Sequence, residues 1–400
     1  MQKRLTFFIA LLIGFSPLAQ VNLDSLWNVW DDNTQVDTNR LKAIGLIASD
    51  GYLFSQPDSA FYFAGLQYNF AESVNNKAQM ADALDTQGAS FFFRDDYIKS
   101  IDFLARSLKI YEELGDKKEI ATKLGLIGIN YKEQGNYIKA IDYQTRSLKI
   151  NEELGDKLGI SRSLTNIGVI YKMQEDYLKA MDYYTRSLII REETGDKKGI
   201  TIILANIGII YYRQGDYAKA MEYQSKSLII CEEIGYKLGI ANSLSNIGNI
   251  YELQGDYAIA IDYHTRSLKI FEELGRNYGI ATSLINIGII YQNQGDYEKA
   301  LEKSTKALSI AQEIGNVDKI KDASENLWKI HKKMGKHKQA LEIHELYIQM
   351  RDSILSIENK EATIQQEFKY KYEKEAAADS VVAAEADKVK NAQLAVEKAQ

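Results

Sequence analysis

Apolar residues in this chain recur at two spacings: three or four residues within short stretches, and forty residues from one stretch to its counterpart. In residues 276–315, Leu284, Ile287 and Tyr291 form one stripe, and Tyr297, Ala300, Leu301, Ala307, Leu308 and Ala311 form another. Each stripe is the buried edge of an amphipathic helix. Between them stands Gln294-Gly295-Asp296. Glycine can adopt the left-handed conformation that ends one helix, and aspartate can cap the amides that begin the next. The same punctuation returns at Gly135-Asn136, Gly215-Asp216 and Gly255-Asp256, with Glu175-Asp176 as a departure, and at the other joint in Gly155-Asp156 and Gly195-Asp196. The predicted unit is a hairpin of two helices of about seventeen residues each.

The phase holds without slippage. Gly128, Gly168, Gly208, Gly248 and Gly288 form one row, and Ala140, Ala180, Ala220, Ala260 and Ala300 another, which defines a repeat array in which each hairpin packs on its neighbours. Glycine inside a helix costs roughly 1 kcal/mol, so the first row predicts a close approach of two helix backbones. Gly159, Gly199, Gly239 and Gly279 are either a second such contact or loosened first turns. Extended backwards, the phase makes residues 41–80, with Ile44, Ile47 and Ala60, a degenerate first repeat, and residues 81–120, with Gly88, Tyr97 and Gly115, a clear second. Forwards, Trp328 replaces the glycine while Gly335 and Ala340 keep their places, so about eight hairpins are expected over 41–356. The leading segment 21–40, with Trp27 and Trp30, reads as a short helix or turn.

The set Leu284, Ile287, Gly288, Tyr291, Ala300 and Ala307 resembles the signature of the tetratricopeptide repeat family, lengthened from about 34 residues to 40 by longer helices. The resemblance implies an all-α solenoid of helical hairpins wound as a right-handed superhelix. It also implies a concave groove lined by the first helix of each hairpin, with a protein or extended peptide as partner. Asn166, Asn206, Asn246 and Asn286, continued by Asn326, lie on those first helices. The family's pattern makes them donors and acceptors for a peptide backbone; the alternative is that they tie adjacent helices together. Leu126 lacks the group, so the track begins after it. Around it the residues vary as a specificity surface would: Arg162, Ile202, Asn242 and Thr282 in one row, Val169, Ile209, Asn249 and Ile289 in another, and Lys172, Tyr212, Glu252 and Gln292 towards the helix ends. Arg146, Arg186 and Arg266 are expected on a solvated outer face.

Composition narrows the chemistry. A formal net charge of -6 with 26% charged residues offers no basic stripe for nucleic acid. Cys231 stands alone, so no internal disulfide forms, and an inert buried thiol is expected. His264, His331, His337 and His344 lack convergent partners and are expected at the surface, with no metal bound. No glycine-rich phosphate loop follows a strand pattern, so no cofactor is expected. Glu152-Glu153, Glu192-Glu193 and Glu272-Glu273 recur in every repeat, where a catalytic pair would occur once. No enzyme activity is therefore expected of residues 1–400, and the question stays open for a longer parent.

The two ends carry other signals. Residues 1–20, with Lys3 and Arg4 ahead of the apolar run Phe7 to Phe15, have the layout of a signal peptide; a buried N-terminal helix and a retained anchor are the alternatives. In 357–400, Phe368, Val382, Val389 and Val396 follow at multiples of seven, which predicts a long charged helix with a weak coiled-coil seam and possible self-association, against a single helix or a disordered tail. Signal peptide, hairpins and charged helix together resemble the extracytoplasmic sensory half of membrane-bound signalling proteins of Bacteroidetes type. That resemblance implies export to the periplasm or the extracytoplasmic face of the inner membrane, and a membrane span beyond Gln400. The alternatives are a secreted or periplasmic structural adaptor, or the N-terminal part of a histidine kinase or nucleotide cyclase.

Overall fold

A computed structural model describes residues 22–356. The segments 1–20 and 357–400, read as a signal peptide and a charged helix, lie outside the described residues. Within them every regular element is helical. The chain divides into two units, the first ending at Asn130 and the second beginning at Tyr131.

Unit 1 contains α1 (Leu23–Asp31), α2 (Asp37–Leu46), a π-helical turn (Ile47–Tyr52), α3 (Pro57–Ser73), α4 (Lys77–Phe92), α5 (Tyr97–Leu114) and most of α6 (Lys117–Glu133). The leading segment forms α1. Its Trp27 meets Phe63 edge-on at 5.2 Å and its Trp30 meets Phe70 at 5.5 Å. Arg40 lies over the Trp30 and Phe70 rings and donates from Nε to the Trp30 carbonyl at 3.0 Å, so α1 is fastened by aromatic contacts. Phe61, Phe91 and Phe103 make a second aromatic group between α3, α4 and α5.

Unit 2 continues with α7 (Tyr137–Leu154), α8 (Lys157–Met173), α9 (Tyr177–Thr194), α10 (Lys197–Arg213), α11 (Tyr217–Glu233), α12 (Lys237–Gln254), α13 (Tyr257–Glu273), α14 (Asn277–Gln294), α15 (Tyr297–Glu313) and α16 (Val317–Lys333). A further helix over residues 337–356 places Ile343, Leu346 and Met350 against the core of α14, α15 and α16. The joints are built as their residues require. Gly155, at φ 66°, donates its amide to the Glu152 carbonyl at 3.1 Å, Asp156 donates to Asn151 at 3.0 Å, and the Asp156 carboxylate accepts from the Gly159 amide at 3.0 Å. Glu175 occupies the same left-handed position at φ 61°. Exposed ion pairs Lys157–Glu193, Lys197–Glu233 and Lys237–Glu273, at 3.0 to 3.1 Å, clasp the open ends of three successive hairpins.

The glycine rows serve a different purpose from the one their spacing predicts. A Cβ on Gly168 would stand 2.7 Å from the Tyr184 ring, on Gly208 2.6 Å from the Gln224 amide, and on Gly248 2.8 Å from the His264 ring. In unit 2 these glycines seat a side chain of the following second helix, whereas at Gly88 in unit 1 the nearest atom is the backbone carbonyl of Ser100 at 3.2 Å. The other row is also a set of seats. Gly159, Gly199, Gly239 and Gly279 receive Asn151, Arg191, Cys231 and Phe271 from the preceding second helix, all four buried. These two variable sets of residues thus fill the interior, and Cys231 is a buried thiol whose pKa burial pushes up.

Candidate functional site

Successive first helices α8, α10, α12, α14 and α16 touch one another, while successive second helices make less contact. The first helices therefore line the inner side of the unit 2 array, where the asparagine ladder lies. Which helix a rung bonds to is decided by the residue twenty-two positions earlier, on the preceding second helix. Asn166 donates to Gln144 Oε1 at 3.3 Å, Asn246 to Gln224 Oε1 at 3.2 Å, and Asn326 to Ser304 Oγ at 2.7 Å. Those three rungs tie one hairpin to the next. The corresponding residues for Asn206 and Asn286 are Tyr184 and His264, whose rings lie on Gly168 and Gly248 and make no hydrogen bond to the asparagines. Asn206 turns its amide to the Ile202 carbonyl of its own helix at 2.9 Å and accepts from Lys172 Nζ at 2.7 Å. Asn286 donates across to Asn249 Oδ1 at 3.1 Å. Every rung thus ties adjacent hairpins, Asn166, Asn246 and Asn326 to the preceding second helix and Asn206 and Asn286 to the preceding first helix.

The remaining predicted residues divide by exposure. Arg162 is exposed; Asn242, Asn249, Lys172, Tyr212 and Glu252 are half-buried on the first-helix side; Asn206 and Asn246 are buried. Val169 and Ile209 are core residues, so that row is open only from Asn249 onwards. Burial, with the like charges of Lys132 and Arg213, pushes the Lys172 ammonium down to about 7. Burial, with the nearby Glu252 carboxylate, raises Tyr212 to about 12. Arg146 and Arg186 are exposed on the second helices, over the Tyr143 and Tyr183 rings.

Two features depart from the sequence expectation. His264, expected at the surface, is fully buried; neither ring nitrogen has a partner among the described residues, and burial lowers its pKa to about 4. Unit 1 holds a charge cluster of half-buried carboxylates around the buried Lys123 that sequence reasoning missed. Tyr111 Oη donates to Asp82 Oδ1 at 2.5 Å, and Lys123 Nζ pairs with Asp85 and, at 3.0 Å, with Glu119. Burial raises Asp85 to about 6 and raises Asp82 as well. The available signal was Lys123, which stands in the row that holds Ser163, Ile203, Ser243 and Ser283 elsewhere. No group of three or more His, Cys, Asp or Glu side chains that could hold a metal occurs among the described residues.

The sequence profile described as tetratricopeptide repeat matches residues 79–153, 119–193, 200–273 and 279–353, more than half of the chain. The chain belongs to the tetratricopeptide repeat family. Among solved structures it is similar to the apo form of the quorum sensor NprR from B. thuringiensis, with 15% identity, 82% of this chain and 97% of that one covered, and a TM-score of 0.59. It is also similar to the Rap conjugation gene regulator of the plasmid pLS20 in complex with the Phr* peptide, with 14% identity, coverage of 84% and 96%, and a TM-score of 0.59. A STAND signal-transduction ATPase with a tetratricopeptide repeat sensor from Pyrococcus horikoshii follows at 16% identity, coverage of 84% and 53%, and a TM-score of 0.57. No curated protein matches the chain.

These findings correct the reading of the chain as the extracytoplasmic sensory half of a membrane-bound signalling protein of Bacteroidetes type. Three of the structures that share its fold along most of its length are a quorum sensor, a conjugation regulator and a STAND protein, and none of those three is such a sensor. No helix among the described residues is long and apolar enough to cross a membrane. The exported, periplasmic or inner-membrane address, the transmembrane sensory role and the signal-peptide reading joined to them are withdrawn.

Proposed function

We propose that the chain is a binding scaffold that holds a protein segment or extended peptide along the first-helix side of unit 2, and that residues 1–400 act by binding and not by catalysis. The observation that carries this reading is the alternating ladder. Asn166, Asn246 and Asn326 bond to the second helix of the preceding hairpin, while Asn206 and Asn286 bond to Lys172 and Asn249 on the preceding first helix, on the side of the array that the first helices line. Carboxamides so placed can donate to a peptide C=O and accept from its N–H whatever its side chains. The likeness to a Rap regulator crystallised with its Phr* peptide supports the same reading.

The test separates the two kinds of rung. Peptides selected on the full chain from a displayed random library should bind the Asn206→Ala, Asn286→Ala double variant about tenfold more weakly or worse, since each lost bond to a desolvated group is worth roughly 1 to 3 kcal/mol. Asn166→Ala with Asn246→Ala should instead lower the melting temperature. Undiminished affinity in the first variant would overturn the assignment of the face.

A further inference from the structure

The last hairpin ends differently from the others. Second helices α7 and α9 stop at Gly155 and Gly195, and Gly235, Gly275 and Gly315 follow α11, α13 and α15, all in the left-handed conformation. The counterpart of Gly315 one repeat later is Leu355, which is still helical, and neither glycine nor proline occurs from Lys336 to Gln400. Nor does the sequence supply a further first helix in phase. Ile320 and Leu327 are buried in α16, and their counterparts one repeat later are Lys360 and Glu367. The signals that build a hairpin stop here, and the signals of a helix continue.

One apolar stripe crosses that boundary. In the helix over 337–356 it comprises Ile343, Tyr347, Met350 and Ile354, spaced four, three and four residues apart, with Ile343 and Met350 packed on the core of α14, α15 and α16. Outside the described residues the same alternation goes on without a slip through Ile357, Ile364 and Phe368 and reaches Val382, Val389 and Val396. Alternating steps of three and four are a heptad seam. The 17 residues of α16 cover about 25 Å of it, and from Ile343 to Val396 it runs about 80 Å at helical rise. Most of the seam therefore has no first helix of its own hairpin to lie on.

We propose that the last helix of the array runs on past it and pairs, through this stripe, with the same stripe of a second copy of the chain. The two helices lie parallel and in register, so two arrays are joined at their C-terminal hairpins, whatever the first-helix face binds. The pattern favours a second copy as the occupant. Counted as heptads, the a positions hold the β-branched Ile354, Val382, Val389 and Val396, the preference of parallel two-stranded pairs, and Lys374 at g meets Asp379 at e of the other copy. Glu361, Lys371, Glu375 and Glu385 interrupt the seam and cost it stability, so the pair is reversible.

Sedimentation equilibrium of the full chain should give twice the mass of one chain, falling to the single mass on dilution. Ile357→Asp with Ile364→Asp should weaken pairing about tenfold or more. Thr363→Asp with Gln366→Asp adds the same charge beside the stripe and should leave pairing unchanged, with circular dichroism melts showing that the array stays folded in both. In a Cys231→Ala background, mild oxidation should link two chains carrying Ile364→Cys and not two carrying Gln366→Cys, because only a parallel, in-register pair sets residue 364 against its own copy. A single-chain mass at every concentration, a mass of three or more chains, or pairing that survives Ile357→Asp with Ile364→Asp would overturn the pair. Equal linking at 364 and 366 would overturn its register.

Discussion

Tyr111 in unit 1 and Phe271 in unit 2 hold the same place in the repeat, and they close their hairpins by different physics. Phe271 lies on Gly279, a glycine that leaves room for the ring. Tyr111 finds Glu119 in the glycine's place and turns its hydroxyl to Asp82. Unit 2 is joined mainly by shape, through two rows of glycine seats filled by residues of different size, with charge added where Arg191 pairs with Asp196 at 2.6 Å. Unit 1 is joined in part by charge, with Asp82, Asp85 and Glu119 gathered around Lys123. Joining by shape loses little when one residue is exchanged for another of like volume. Joining by charge desolvates every member, and it fails when a single partner is removed.

The sharpest way to break the contrast is Lys123→Met. It leaves buried carboxylates without their cation, for which a cost of about 3 to 5 kcal/mol is expected. Amide hydrogen exchange should show faster opening in α4 and α5 with unit 2 unchanged, and partial recovery in acid as the carboxylates take protons.

Acid should also move the two units in opposite directions. Asp85 is raised to about 6 by burial, so as pH falls through 6 the folded state takes a proton before the unfolded one, and unit 1 gains stability until the ordinary value near 3.8. His264 is held down to about 4 by burial, so the unfolded chain binds a proton below about 6.5 that the fold refuses. Its contribution is complete above 6.5 and is lost as pH falls towards 4, by about 3 kcal/mol at most. His331, also lowered, adds in the same sense. Exchange rates across this window should fall in unit 1 and rise in unit 2. Asp85→Asn should flatten the first profile, and His264→Gln, which installs the residue found at Gln144 and Gln224, the second. A unit 2 profile unaltered by His264→Gln would remove the histidine from the account.

The smallest test concerns the seats. Gly168→Ala places a methyl against the Tyr184 ring and should cost about 1 to 3 kcal/mol. In unit 1 the nearest group to a Cβ on Gly65 is Gln87 Nε2 at 3.5 Å, an ordinary contact, so Gly65→Ala should gain roughly 0.5 to 1 kcal/mol of helix stability. Thermal melts of the two variants should shift in opposite directions.

The hairpins were legible because turns depend on local chemistry: Gly215-Asp216 announces a left-handed stop and a cap within two residues, and the structure places them there. The positions of the asparagines were legible from spacing alone. Their division between second-helix and first-helix partners was not, because it depends on Gln144 or Tyr184 on another helix, and no pattern within α8 or α10 reports it. His264 was misplaced for the same reason. Histidine is commonly a surface residue, and only its alignment with buried Gln144, Tyr184 and Gln224 puts it inside. The unit 1 cluster escaped because charge at one position of a repeat reads as variation until the row's burial is known.

Repetition of the seats also bears on how the chain finds its register. Gly159, Gly199, Gly239 and Gly279 are interchangeable sockets behind near-identical turns, so a folding hairpin can dock one socket too far and leave a repeat looped out. Arrays of this kind can nucleate at any point and spread, and misassembly between like neighbours is their characteristic error. Tyr111 with Asp82 and Lys123 with Asp85 are not repeated at the same row positions among the described residues, so they mark one register. Because the N-terminal part of a chain leaves the ribosome first, the residues of that cluster are available for pairing before the look-alike hairpins of unit 2 have emerged.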